Sequence, residues 1–227
     1  WTVPADGVYT IEARGAAGIN GSFVAAGYGA RMKGDFTLTQ GTVLKILVGQ
    51  MPVTGSYQDA GGGGTFVTKS PYNTTASILV IAGGGNGDSW ASWNTDAPDA
   101  LTTNSGSGGG SAYGRGGGGG GFSGNGNNNY GSGGTSFING GVGGANSGNG
   151  GVGGFGGGGG SLYEGGGGGG YTGGSVVNTN LYNNSYPQYG SGSYNTASSN
   201  QSNTAGANDG HGQVVITYCT GMCFESA

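Results

Sequence analysis

Charge is nearly missing from this chain: Asp, Glu, Lys and Arg make up 7% of its 227 residues, against about 25% in ordinary globular chains. The six basic residues, Arg14, Arg31, Lys33, Lys45, Lys69 and Arg115, are scattered. They build no phosphate-binding stripe, which argues against nucleic acid as a partner. One histidine, His211, and two cysteines, Cys219 and Cys223, are too few for the four-ligand sites zinc prefers. Proline occurs only five times and no sustained Gly-X-Y period is present, which excludes collagen. No apolar run approaches the ~20 residues of a membrane-spanning helix, so no membrane insertion is expected of this segment. No window shows the i, i+3, i+4, i+7 spacing of an amphipathic helix.

Catalytic signatures are missing as well. His211 lies near Asp209 in NDGHGQ, but no serine is marked out as a nucleophile and no GxSxG elbow occurs. GxGxxG matches in many registers of a glycine run, without the following helix that a dinucleotide site needs. The sequence therefore points to no enzyme, and to no catalytic residue, cofactor or metal. Asp88, Asp96 and Asp99 around WASWNTDAPD could offer oxygens to calcium, but EF-hand spacing is absent and a solvated loop is the preferred reading.

What the chain has in excess is glycine, 62 residues, roughly four times the usual share. Such a composition ordinarily reads as a linker. Disordered chains, however, carry high net charge and few aromatics, whereas this one has a net charge of −4 and 10% aromatics. Between residues 83 and 174 the glycines form runs separated by turns: Gly83–Gly85, Gly108–Gly110, Gly116–Gly121, Gly140–Gly144, Gly150–Gly154, Gly156–Gly160 and Gly165–Gly170. Extended glycine of the polyproline II type leaves every N–H and C=O free for neighbouring rods, and the missing Cβ lets backbones approach closely. Ordering each residue costs ~1–2 kcal/mol and a hydrogen bond returns ~0.5–1.5 kcal/mol. The rods thus need outside help. Phe122, Phe137, Phe155, Leu162, Tyr163 and Tyr171 are placed to seal such a bundle.

The flanks read as strands. Val8–Arg14, Ala30–Leu38, Val43–Val48, Thr65–Thr68 and Ser77–Ala82 are short β-branched or aromatic runs bounded by turn residues, and Gln213–Tyr218 repeats the pattern at the far end. The expectation is an all-β sandwich from residues 1–82 and 210–219, with a glycine bundle over 83–174 and a polar Tyr/Asn/Ser loop over 175–209 inserted between strands.

Two loops stand out as candidate protein-contact surfaces. Asp88 to Asn104 carries Trp90 and Trp93; tryptophan is enriched at binding hot spots, though residues capping a glycine bundle would look the same. The segment Val177 to Asp209 carries Tyr182, Tyr186, Tyr189 and Tyr194 among Ser, Asn and Gly, a paratope-like composition. A contact role is favoured, with a glycan-shielded or disordered loop as the alternatives. Four sequons, at Asn20, Asn73, Asn183 and Asn200, together with the terminal cysteines and sparse charge, favour an extracellular or cell-surface glycoprotein. With Trp1 at its head, the sequence reads as a mature form or an excised piece.

Several blocks occur in a characteristic order: WTVPADGVYTIEARGAAG, GYGARMKGDFTLTQGTVLKILVGQ, GGGGTFVTK, SILVIAGGGNG, GGFGGGGGSLYEGGGGGGYTGG and GHGQVVITYC. Together, from Trp1 to Cys219, they resemble the glycine-rich extracellular domain of the anaplastic lymphoma kinase and leukocyte tyrosine kinase receptors. The resemblance implies a tumour-necrosis-factor-like β-sandwich with an inserted bundle of polyglycine II helices, and binding of small protein ligands. In those receptors an epidermal-growth-factor-like module follows. YCTGMCF could open such a module over residues 219–227; alternatively Cys219 and Cys223 pair with each other. Two functions from different classes follow: a structural or adhesive unit that contacts a protein partner or assembles with itself in a filament or matrix, or the ligand-binding ectodomain of a receptor.

Overall fold

A computed structural model of the chain describes residues 1–19, 25–52, 59–88, 96–106, 109, 116–162, 165–175 and 189–218. In these residues the strands are β1 (Gly7–Arg14), β2 (Gly29–Leu38), β3 (Leu44–Leu47), β4 (Thr65–Lys69), β5 (Ile78–Ala82), β6 (Tyr194–Asn195), β7 (Ser199–Asn208) and β8 (Gln213–Tyr218), with one short 3₁₀ turn at Thr75–Ser77. They form two four-stranded antiparallel sheets, ordered β7-β2-β1-β8 and β3-β4-β5-β6. The architecture is all-β and sandwich-like.

Alternation explains the first sheet. Along β1, Tyr9, Ile11 and Ala13 are buried against the second sheet, whereas Thr10, Glu12 and Arg14 face outward. Met32 and Phe36 of β2 join them, and Val67, Leu79 and Val80 close the core from the other side. The second sheet does not alternate. Every residue of β5, Ile78–Ala82, is buried, because its other face is also covered. There Phe66, Ile78 and Ile81 pack on Phe122 and Phe137, which come from the glycine-rich region. Phe137 stacks on Phe66 at 4.9 Å and on Phe122 at 5.5 Å. A continuous apolar run such as ILVIA is what a strand buried on both faces requires.

The connections at one pole are short, 39–43, 70–77 and 196–198, and β1 begins and β8 ends at that pole. At the opposite pole the β7–β8 connection, 209–212, is short, but 15–28, 48–64 and 83–193 are long and glycine-rich. They hydrogen-bond to one another with a recurrence of three residues. Gly166 and Gly169 donate to Asp59 and Gly62 (2.6 and 2.9 Å), and Gly167 and Gly170 donate to Gly117 and Gly120 (3.0 and 3.1 Å). Gly87 and Gly84 donate to Gly166 and Gly169 (2.8 and 2.7 Å). One segment thus bonds three neighbours, returning to each after every third residue. The same spacing links Ala16 and Ile19 to Gly63 and Ala60.

Two differences from the sequence reading follow. The bonded network is not confined to 83–174: it recruits 15–19 and 59–64 from between the sandwich strands and 189–192 from beyond. The segment 175–209 is not all loop, since β6 and β7 lie in it. β7, SNQSNTAGAN, has no strand-like pattern; it is extended because β2 supplies a pairing edge, an effect of tertiary context that local propensity cannot register.

Candidate interaction surface

Both candidate contact loops leave the scaffold beside the rod that follows β5. Asn86, 3% exposed, is the organising side chain. Its Nδ2 donates to the carbonyls of Ser175 (3.0 Å) and Tyr189 (3.2 Å), and its Oδ1 accepts the Gly168 N–H (2.9 Å). Ser175 and Tyr189 flank the segment 176–188, and the Ser175 N–H also donates to the Tyr189 carbonyl at 3.1 Å. One amide therefore clamps both ends of that loop to the 165–170 rod. A neutral amide suits the position because it must donate twice and accept once where water is excluded.

Two residues further on, Asp88 opens the Trp-bearing segment, whose far flank is fixed by a second device. Asp96 accepts the Ala25 N–H at 3.3 Å and Asp99 accepts the Tyr28 N–H at 2.7 Å. In return Ala97 and Ala100 donate to the carbonyls of residues 25 and 28, both at 2.9 Å. The three-residue recurrence appears again, here with carboxylates filling in for backbone acceptors. Asp96 and Asp99 are thus spent on backbone amides. Among the described residues no group of three or more His, Cys, Asp or Glu side chains could hold a metal ion, so Asp88, Asp96 and Asp99 are not gathered into a calcium site.

Asp88 instead has an acidic neighbour the sequence reading did not single out. Asp59 is 6% exposed and Asp88 1%. Burial first, and then the charge of Asp88, push the Asp59 carboxyl up to about 7. The opposite case lies on the outer face of the first sheet. Glu12 takes hydrogen bonds from Arg14 Nε and Arg31 Nη2, both 2.8 Å. Burial alone would raise the Glu12 carboxyl, but the Arg31 and Arg14 bonds and charges outweigh it and hold it below the ordinary glutamate range. His211 serves as an anchor: its Nδ1 accepts the Met51 N–H at 3.1 Å, which ties 209–212 to the 48–52 connection.

Of the residues read as contacts, Tyr189 is 47% exposed beside its clamped carbonyl. Tyr194 is half-buried in β6 and stacks on Tyr171 at 4.6 Å, against the second apolar cluster. It is held by packing. Trp90, Trp93, Tyr182 and Tyr186 lie outside the described residues, as do Asn20, Asn183, Cys219 and Cys223. Asn73 is exposed in the turn that follows β4. Asn200 is exposed on β7 and its Nδ2 donates to Asp35 at 2.6 Å.

A further surface feature escaped the sequence reading. On the 141–145 and 149–155 segments, Val142 and Ala145, and Asn149, Val152 and Phe155, are exposed, with mostly buried glycines between them. The signal was available: an X-Gly-Gly spacing puts every side chain at the same phase of the three-residue recurrence. Phe155, 40% exposed, therefore lies on the surface and is no seal, whereas Phe122 and Phe137 are buried against the second sheet.

Compared with known proteins, the chain matches no family model and no curated sequence.

Proposed function

We propose that this chain is a non-catalytic interaction module of the cell exterior, in which a polyglycine II bundle on a tumour-necrosis-factor-like sandwich presents two aromatic-rich loops to a protein partner. The observation that carries the reading is the Asn86 clamp, which gathers the base of the 176–188 loop next to the start of the Trp90/Trp93 loop. Rigid placement of adaptable, tyrosine-rich loops is how paratopes are built. The three-residue recurrence of partners supports polyglycine II, because successive amides of a threefold extended helix point about 120° apart. A bundle whose interior is glycine backbone offers a substrate few side chains, which supports a scaffold over an enzyme. The ordered blocks that resemble the glycine-rich receptor domain point the same way, and a receptor ectodomain is the more specific form of this proposal.

The test uses beads coated with the chain and scored for attachment to cultured cells. Replacing Trp90, Trp93, Tyr182 and Tyr186 by serine together should abolish attachment with unchanged unfolding behaviour. Attachment that survives all four changes would remove the loops from the proposal. Amide exchange addresses the bundle separately: Gly116–Gly121 and Gly165–Gly170 should be protected far beyond seconds, and rapid exchange there would make them linkers.

A further inference from the structure

An open sheet edge invites pairing, and folded proteins blunt such edges with charge, proline, bulges or brevity. Among the described residues, three of the four sheet edges are treated in this way. β6 has two residues. β3 has four and carries exposed Lys45. β7 is long, but its register with β2 shifts between Gly29 and Arg31 and again between Lys33 and Asp35, and Asn200 and Gly206 adopt φ of 50° and 57°. Those irregularities twist its outer side out of line.

β8 has none of these devices. Gln213–Tyr218 pairs with β1 in unbroken register, from Arg14↔Gln213 to Tyr9↔Tyr218. It contains no charged residue and no proline. Its inward Val214 and Ile216 pack on the core, while Val215 is 43% exposed on the outer face. Among the described residues, no element other than β1 pairs with it.

We propose that two copies of this chain associate through β8, antiparallel about a two-fold axis, so that the first sheets of both become one eight-stranded sheet. A second β8 is the occupant these observations fit. It is regular and uncharged, as a ladder requires, and antiparallel pairing with itself closes at two copies. A β8-to-β7 contact would propagate into filaments, and the bulges of β7 disfavour it. Like charges do not oppose the pairing. The nearest, Glu12 and Arg14 on β1, would be separated from their copies by three strand spacings, roughly 14 Å, beyond the ~8 Å screening length at physiological salt. The axis passes near the middle of the strand and sets the exposed Val215 side chains close together, an apolar cross-strand contact. The inference is independent of the loop-contact proposal, since none of the residues on which that proposal rests belongs to β8.

Sedimentation of the whole chain from micromolar to millimolar concentration tests it. A monomer–dimer equilibrium is expected, little affected by salt, with amide exchange over residues 213–218 slowing as dimer forms. The double change Val215→Lys and Thr217→Lys sets like charges across the ladder and should weaken dimerisation about tenfold or more. Both side chains are exposed, and an unchanged unfolding midpoint would verify the fold. Ser199→Lys on β7 should leave dimerisation as it is. A chain that stays monomeric at every concentration overturns the proposal, as does dimerisation that ignores the β8 lysines or fails with Ser199→Lys.

Discussion

Replacing Gly119 by alanine adds one methyl group where two rods have no room for it. A Cβ at Gly119 would stand 1.9 Å from the Gly168 oxygen and 2.6 Å from its carbon. Reaching the ~3.3 Å of a relaxed C–H···O contact requires the rods to part by roughly 1.4 Å. The bonds joining those rods, Gly167 to Gly117 at 3.0 Å and Gly170 to Gly120 at 3.1 Å, would then exceed hydrogen-bonding range. Each leaves a buried donor and acceptor at about 1–3 kcal/mol, or ~2–6 kcal/mol for the two. The reduced freedom of alanine in the unfolded chain offsets ~0.4–1 kcal/mol. The net loss of ~2–5 kcal/mol is a large part of a typical 5–15 kcal/mol stability. Urea unfolding measures it. Gly124→Ala is the internal control, since a Cβ there meets nothing within 4 Å, and it should be neutral or stabilising by up to ~1 kcal/mol. If Gly119→Ala unfolds within about 1 kcal/mol of the parent, or if Gly124→Ala is equally harmful, close backbone packing is not what holds the rods.

Three further outcomes are expected. Phe137→Ala empties the contact between the second sheet and the glycine region and should cost ~3–5 kcal/mol in chemical unfolding; a smaller loss than Phe122→Ala would displace it from the centre of that cluster. Asn86→Asp keeps the size but loses both donated bonds, so amides bordering the 176–188 segment should exchange faster, with the chain destabilised by ~2–4 kcal/mol. Asp59 titrates in the folded chain at about 7, above its ordinary 3.8, so the folded state holds its proton more tightly than the unfolded state. The stability linked to it is full below about pH 4 and is lost as pH rises to about 7. Asp59→Asn should flatten that decline, by at most ~4 kcal/mol at ~1.4 kcal/mol per unit; parallel pH profiles for the two chains would count against the buried pair. Glu12 runs the other way, its contribution present above its ordinary value and lost as pH falls through its lowered one.

The sandwich strands were legible because each carries its own pattern. Tyr9, Ile11 and Ala13 alternate with polar neighbours, and ILVIA announces burial on two faces without naming what covers the second. β7 was illegible for a physical reason: SNQSNTAGAN is extended only because β2 offers it an edge. The Asn86 clamp was equally hidden, since its partners lie 82 to 103 residues away and nothing local distinguishes this asparagine from its many neighbours.

The amino-acid sequence by itself determined the β class, the dearth of charge and the steric licence of the glycine runs, all of them properties of residue type and short-range order. Only the tertiary structure decided which rods lie side by side, which loops share a base and which sheet edge stays open. Glycine carries no side chain to specify a neighbour, so its partners are set by where the strands of the sandwich begin and end.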